Sequence, residues 1–206
     1  MRLSTVLAHT IAAAVVVSAA SCSPPPQPTY ADITFQTRCN SLAGPSITGC
    51  TEPLTRSIFG FSGDMGTRFS CSIGNHGALR TVNFSASAVD PSGVPIGVSL
   101  SGATVATGGG TPSGQSTFTW RDGNTYGGMA SGTMPTAAQP CQISSINFTT
   151  DSGTGLPLMT VSAHCIEAPS IPAASPAIVR SVSHDGNNMG DNIRPFEIKF
   201  FSCPVI

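Results

Sequence analysis

The residues able to do chemistry in this 206-residue chain are few and scattered. Four histidines stand at His9, His76, His164 and His184, and no two share the close spacing of a helical or hairpin metal site. A zinc site would need a fold that converges His76, His164 and His184. The richest polar stretch is Asp185-Gly186-Asn187-Asn188-Met189-Gly190-Asp191-Asn192. Calcium binds carboxylate and carboxamide oxygens, which makes Asp185, Asn187 and Asp191 its candidates. Met189 interrupts that ligand series, and Phe196 stands where a closing acidic residue belongs. Asn, Asp and Gly are equally the residues of any exposed turn, so the favoured reading is a loop, with no metal and no cofactor. Asp64 (SGDMG) and Asp122 (RDGN) are weaker calcium candidates still, and the second reads as an Asp-Gly turn between Phe118/Trp120 and Tyr126. Trp120 and Tyr126 could stack on a sugar ring. A sole tryptophan in a β domain is more simply core.

Composition bounds the elements that must hold these residues. Charged residues are 9% of the chain, the formal net charge is −1, and there are 22 Gly and 17 Pro. Average soluble domains carry roughly 25% charged residues. Nine dispersed cations form no stripe to neutralise phosphates, which excludes a nucleic-acid binder. So many helix breakers exclude a coiled coil or helical bundle. With 40% hydrophobic residues and near-zero charge, the chain collapses rather than staying disordered.

Period-two patterning predicts strands. Val82, Phe84, Ala86 and Ala88 alternate with Asn83, Ser85 and Ser87. The turn residues Asp90-Pro91-Ser92-Gly93 follow, and then Val94, Ile96, Val98 and Leu100 alternate in turn. A second hairpin is expected over 142–149 and 156–165. Shorter strands are expected at 33–37, 54–61, 68–73, 116–121, 178–183 and 196–202. The fold class is therefore all-β: an antiparallel sandwich or barrel of about nine or ten short strands, stapled by disulfides. The proline-punctuated segment 167–177 (EAPSIPAASPA) reads as a long surface loop. The stretch after it is too short for its own core, so 31–206 reads as one domain.

The segment Thr160-Val161-Ser162-Ala163-His164-Cys165 resembles the histidine motif of trypsin-like proteases. Those enzymes need an Asp and then a nucleophilic Ser downstream of the His. Here Asp151-Ser152-Gly153 lies upstream, and no GDSGG follows. The simpler reading is a strand with a structural cysteine and His164 on its solvent side. Gly108-Gly109-Gly110 lacks the Lys and following helix of a phosphate-binding loop.

The N-terminus addresses location. After Met1 and Arg2, residues 10–20 (TIAAAVVVSAA) are apolar. That is too short to span a bilayer, which takes roughly 20 residues, but it suits a signal-peptide core. Ala19-Ala20-Ser21-Cys22 follows, then the proline-rich SPPPQPT. Small residues before a Cys, directly after such a core, resemble the lipobox of bacterial lipoproteins. The usual Leu three residues before the Cys is Ala19 here. The resemblance implies removal of 1–21 and acylation of Cys22, and the four prolines among residues 23–29 make 22–30 read as an extended tether. Ordinary secretion with cleavage after Ala20 is the alternative.

There are seven cysteines. With Cys22 lipidated or removed, six remain, and an exported protein is expected to pair them. The expected pairs are Cys39–Cys50, Cys141–Cys165 and Cys71–Cys203. No CxxC occurs, which argues against zinc ribbons and thioredoxin-like redox sites. These readings converge on a bacterial cell-envelope lipoprotein, bound to the cell membrane or outer membrane by lipid at Cys22. Its β domain is expected to be a non-catalytic structural or binding module, with an envelope protein or glycan as partner. The alternative is a secreted hydrolase with an unconventional site.

Overall fold

Val82, Phe84 and Ala86 are at most 4% exposed, while Ser85 and Ser87 between and beside them face solvent. That alternation recurs around the fold. The computed structural model describes residues 29–39, 54–133, 136, 138–171, 179–182 and 196–206. Among the described residues there are eleven strands: β1 (Tyr30–Cys39), β2 (Leu54–Phe61), β3 (Arg68–His76), β4 (Leu79–Val89), β5 (Pro95–Ala106), β6 (Gln115–Asp122), β7 (Asn124–Ser131), β8 (Cys141–Thr150), β9 (Pro157–Ile171), β10 (Val179–Val182) and β11 (Phe196–Phe201). The all-β class expected from the sequence holds.

All eleven strands belong to one sheet, ordered β10-β1-β11-β9-β8-β7-β6-β5-β4-β3, with β2 on the other side of β1. β10 and β11 share one lane. β1 pairs with β11 over Tyr30–Thr34 and with β10 over Thr37–Cys39, and β9 flanks both on the far side. The far edge of the sheet, β3, is met by the residues that follow β11. Ile73 N donates to Pro204 O at 2.9 Å, and Ile206 N donates to Ile73 O at 2.9 Å. The sheet thereby curls into a nearly closed barrel. It is mixed rather than purely antiparallel, because β7 runs parallel to β8 where Ala130 faces Cys141.

The core fills the space between the curled walls. Phe196 of β11 sits at its centre, 4.9 Å from the ring of Phe35, 5.0 Å from Phe118 and 5.8 Å from Trp120. Phe200 packs on Phe84 at 5.1 Å. Each fully buried aromatic ring contributes roughly 1.5–3 kcal/mol of transfer free energy, so this cluster holds opposite walls together. Two disulfides add covalent ties, Cys71–Cys203 between β3 and the segment after β11, and Cys141–Cys165 between β8 and β9. Their Cα atoms are 5.4 and 4.0 Å apart. These are two of the three expected pairs. Cys39–Cys50 depends on Cys50, which lies outside the described residues, as do Cys22 and residues 23–28 of the expected tether; its last residue, Tyr30, opens β1.

Three features differ from the sequence expectation. β7 is a strand although it contains Gly127-Gly128. A Cβ on Gly127 would lie 2.3 Å from Phe118 O, so the glycine is what lets β6 and β7 approach. β9 is long and continues through Pro169 to Ile171, where a surface loop was expected. Pro169 sits opposite Val179, the first residue of β10, where the described pairing of the two strands ends and a residue without an N–H is tolerated. The strand count rises to eleven as a result. Among the described residues no helix is long and apolar enough to cross a membrane.

Candidate functional site

Arg56 occupies an inward-facing position of β2, in register with Ile58, which is 1% exposed. A charge there must be compensated, because desolvating an unpaired ion is costly. Compensation comes from two turns. Arg56 Nη1 donates to Asp90 Oδ2 at 2.7 Å, in the turn after β4. Its Nε and Nη2 donate to Asp122 Oδ1 at 2.9 and 2.6 Å, in the β6–β7 turn. Thr37 of β1 donates its hydroxyl to Asp122 Oδ2 at 2.9 Å. The side chains of Arg56, Asp90 and Asp122 are 16%, 8% and 2% exposed.

The second oxygen of Asp90 is also engaged. Asp90 Oδ1 accepts from the backbone N–H groups of Ser92 and Val94, both at 2.8 Å. An acid or base in catalysis needs an oxygen aimed at a substrate proton. In this cluster the carboxylate oxygens aim at Arg56, Thr37 and backbone donors. The arrangement fastens β1 and β2 to the two turns at one end of the barrel.

Other candidates resolve differently. His164 is buried at 7% in β9, contrary to the solvent-side placement expected. Thr160 and Ser162, on the same side of β9, are half-buried, so burial on that side deepens toward His164. His76 lies exposed at the end of β3, on a strand remote in the sheet order from β9. His184 and the calcium candidates Asp185, Asn187 and Asp191 lie outside the described residues. Among the described residues no group of three or more His, Cys, Asp or Glu is placed to hold a metal ion.

Trp120 and Tyr126 are each 1% exposed and stack on one another at 5.6 Å, facing each other across β6 and β7. Both belong to the core, so neither offers a face to a sugar. Asp64 accepts from Phe61 N at 3.0 Å and shapes the short 3-10 turn Asp64–Gly66. Asp151 accepts the backbone N–H and hydroxyl of Thr154, both at 2.8 Å. The Thr154 hydroxyl, then its backbone N–H, hold the Asp151 carboxyl below the ordinary value of 3.8, with a smaller contribution from Lys199.

No family model, curated protein or solved structure matches this chain.

Sequence reasoning found the turns of Asp90 and Asp122 but not their partner. The signal was present: Arg56 stands in the apolar column of an alternating strand. Arg80 does the same in β4, in register with Val82 and Phe84. An arginine in the inward column must meet an anion or open onto solvent at the end of the barrel. The two arginines differ in this respect. Arg56 is held by two carboxylates. Arg80 has no carboxylate within ion-pair distance among the described residues; it lies over the Phe148 ring at 4.6 Å and donates from Nε to Asn75 Oδ1 at 3.4 Å.

Proposed function

We propose that the protein is an exported cell-envelope lipoprotein, held to a membrane by acyl chains on Cys22, whose β domain works by binding rather than by catalysis. The observation that carries this reading is the pair of disulfides, Cys71–Cys203 and Cys141–Cys165. Disulfides of this kind form and persist in oxidising compartments outside the cytosol. A fold stapled in this way agrees with the signal-like segment 10–20 and with the odd seventh cysteine at Cys22. The self-contained hydrogen bonding of Arg56, Asp90, Asp122 and Thr37 supports a structural role for the main polar cluster. Two or three acyl chains would anchor the chain stably, since a single chain binds only marginally.

The test is fractionation of the native protein with intact mass measurement. The reading expects a detergent-phase protein whose mass begins at Cys22 and includes acyl groups. Cys22→Ser should move it to the aqueous phase. A Cys22→Ser protein that partitions as wild type does would refute the anchor.

A further inference from the structure

We infer that the barrel end marked by Arg80 is a binding site for a small amphiphilic carboxylate. This deepens the binding-module reading and rests on it. A cavity of about 330 Å3 opens there, between the β3–β4 hairpin, the β8–β9 hairpin and the segment after β11. Its size falls in the range of small-ligand pockets, roughly 300–1,000 Å3. Ile73, Leu158, Met159 and Val205 make one apolar side beside Phe148, while Arg80, Thr149 and Thr150 give it a polar side of similar extent. Cys203 also lines it, so the Cys71–Cys203 disulfide fixes one side.

Charge complementarity selects the ligand. Arg80 points along the inward column of β4, opposite the buried Val105 of β5. Its guanidinium carbon lies 4.6 Å from the centre of the Phe148 ring, a contact that restrains the side chain. Asn75 engages only Nε, weakly, at 3.4 Å. The terminal nitrogens are available for a planar anion, and a carboxylate matches their two-pronged geometry and single charge. The apolar lining then takes the body of the same molecule. The contrast with Arg56 is direct: at the other inward arginine the fold supplies its own carboxylates, whereas at Arg80 the ligand would bring one.

The experiment is titration calorimetry of the purified, disulfide-intact protein with octanoate as probe, and with 1-octanol, octylammonium and octyl phosphate beside it. The expected result is saturable binding of one octanoate, tighter than any of the other three. Arg80→Gln should weaken octanoate at least tenfold and leave 1-octanol unchanged. Val205→Trp, at an exposed position lining the cavity, should block octanoate by filling the space, and it decides the matter if Arg80→Gln does not fold. Absence of saturable octanoate binding, equal affinity in the variants, or tighter binding of octylammonium or octyl phosphate would overturn the site. A parallel assay with p-nitrophenyl octanoate separates the two levels. Ester turnover by the protein would overturn the binding-only reading itself, while absence of both binding and turnover would overturn this site alone.

Discussion

Arg56 lays two nitrogens, Nε and Nη2, on the same oxygen of Asp122, at 2.9 and 2.6 Å. The other oxygen of Asp122 is taken by Thr37. Asp122 thus joins β1, β2 and the β6–β7 turn through one carboxylate. Removing one partner of a buried ion pair leaves the other charged and desolvated, at a cost of about 3–5 kcal/mol. Asp122→Ala should therefore lower the urea midpoint strongly. Adding Arg56→Met to it should recover part of the loss, because the stranded charge is gone. Equal midpoints for Asp122→Ala and wild type would show that the cluster fastens nothing.

The two disulfides should differ in their contribution. Cys71–Cys203 closes a separation of 132 residues and Cys141–Cys165 one of 24. In the chain-entropy account the longer loop restricts the unfolded chain more, by about 1.5 kcal/mol. Cys71→Ala/Cys203→Ala should consequently destabilise more than Cys141→Ala/Cys165→Ala. Equilibrium unfolding of the two double variants decides it, and the reverse order would count against the entropic account here. Peptide mapping under non-reducing, denaturing conditions should recover both linked pairs.

Acid should loosen the β8–β9 hairpin through Asp151. Its carboxyl is held below 3.8 by the Thr154 hydroxyl and N–H, so the folded state prefers the ionised form. The stabilisation from this group is complete above the unfolded value. It disappears as pH falls through the lower folded value. Asp151→Asn should remove that part of the acid dependence and leave the rest of the profile in place. Unfolding midpoints measured from neutral pH down to below 3.8 would reveal it; a profile identical to wild type would contradict the assignment.

Gly127 is the position where a single methyl group should do most harm. Its φ is 121°, and a Cβ would meet Phe118 O at 2.3 Å and Thr119 Cα at 2.7 Å. Both neighbours are backbone of β6 and cannot swing aside. Gly127→Ala should cost roughly 3–5 kcal/mol, at the severe end for point substitutions. Trp120, the chain's one tryptophan, is buried beside Tyr126 and reports the transition by fluorescence. An alanine variant that unfolds with wild type would mean that β6 and β7 separate more easily than their geometry indicates.

Alternation made most of the barrel readable. The run 54–61 is β2 as expected, and Val82, Phe84 and Ala86 face the core as their spacing requires. β7 was readable only at its start: the Asp122-Gly123 turn set Tyr126 across from Trp120, as found, but Gly127-Gly128 hid the strand that continues beyond it. The extension of β9 was hidden by Pro169, whose tolerance depends on its place at the end of the pairing with β10, which no local pattern encodes. The Arg56 cluster was half readable. Asp90 and Asp122 looked like turn residues, and they are, but the contact that buries them crosses from β2 and joins positions 34 and 66 residues apart. His164 was misplaced because alternation sets it on the outward side of β9 with the half-buried Thr160 and Ser162, and its own burial rests on tertiary contacts that the period does not encode.

The meeting of Ile73 with residues 204–206 also sets a timetable. Neighbouring hairpins such as β3–β4 and β8–β9 can assemble early, from contacts close in sequence. The ring itself stays open until Pro204 reaches Ile73, a closure across most of the chain, and such non-local closures are slow. In the interval β3 presents an unpaired edge, and the chain has few charges with which to repel a second copy. The contact at Ile73 covers part of that edge, so chains that meet one another before it forms can pair through β3 instead.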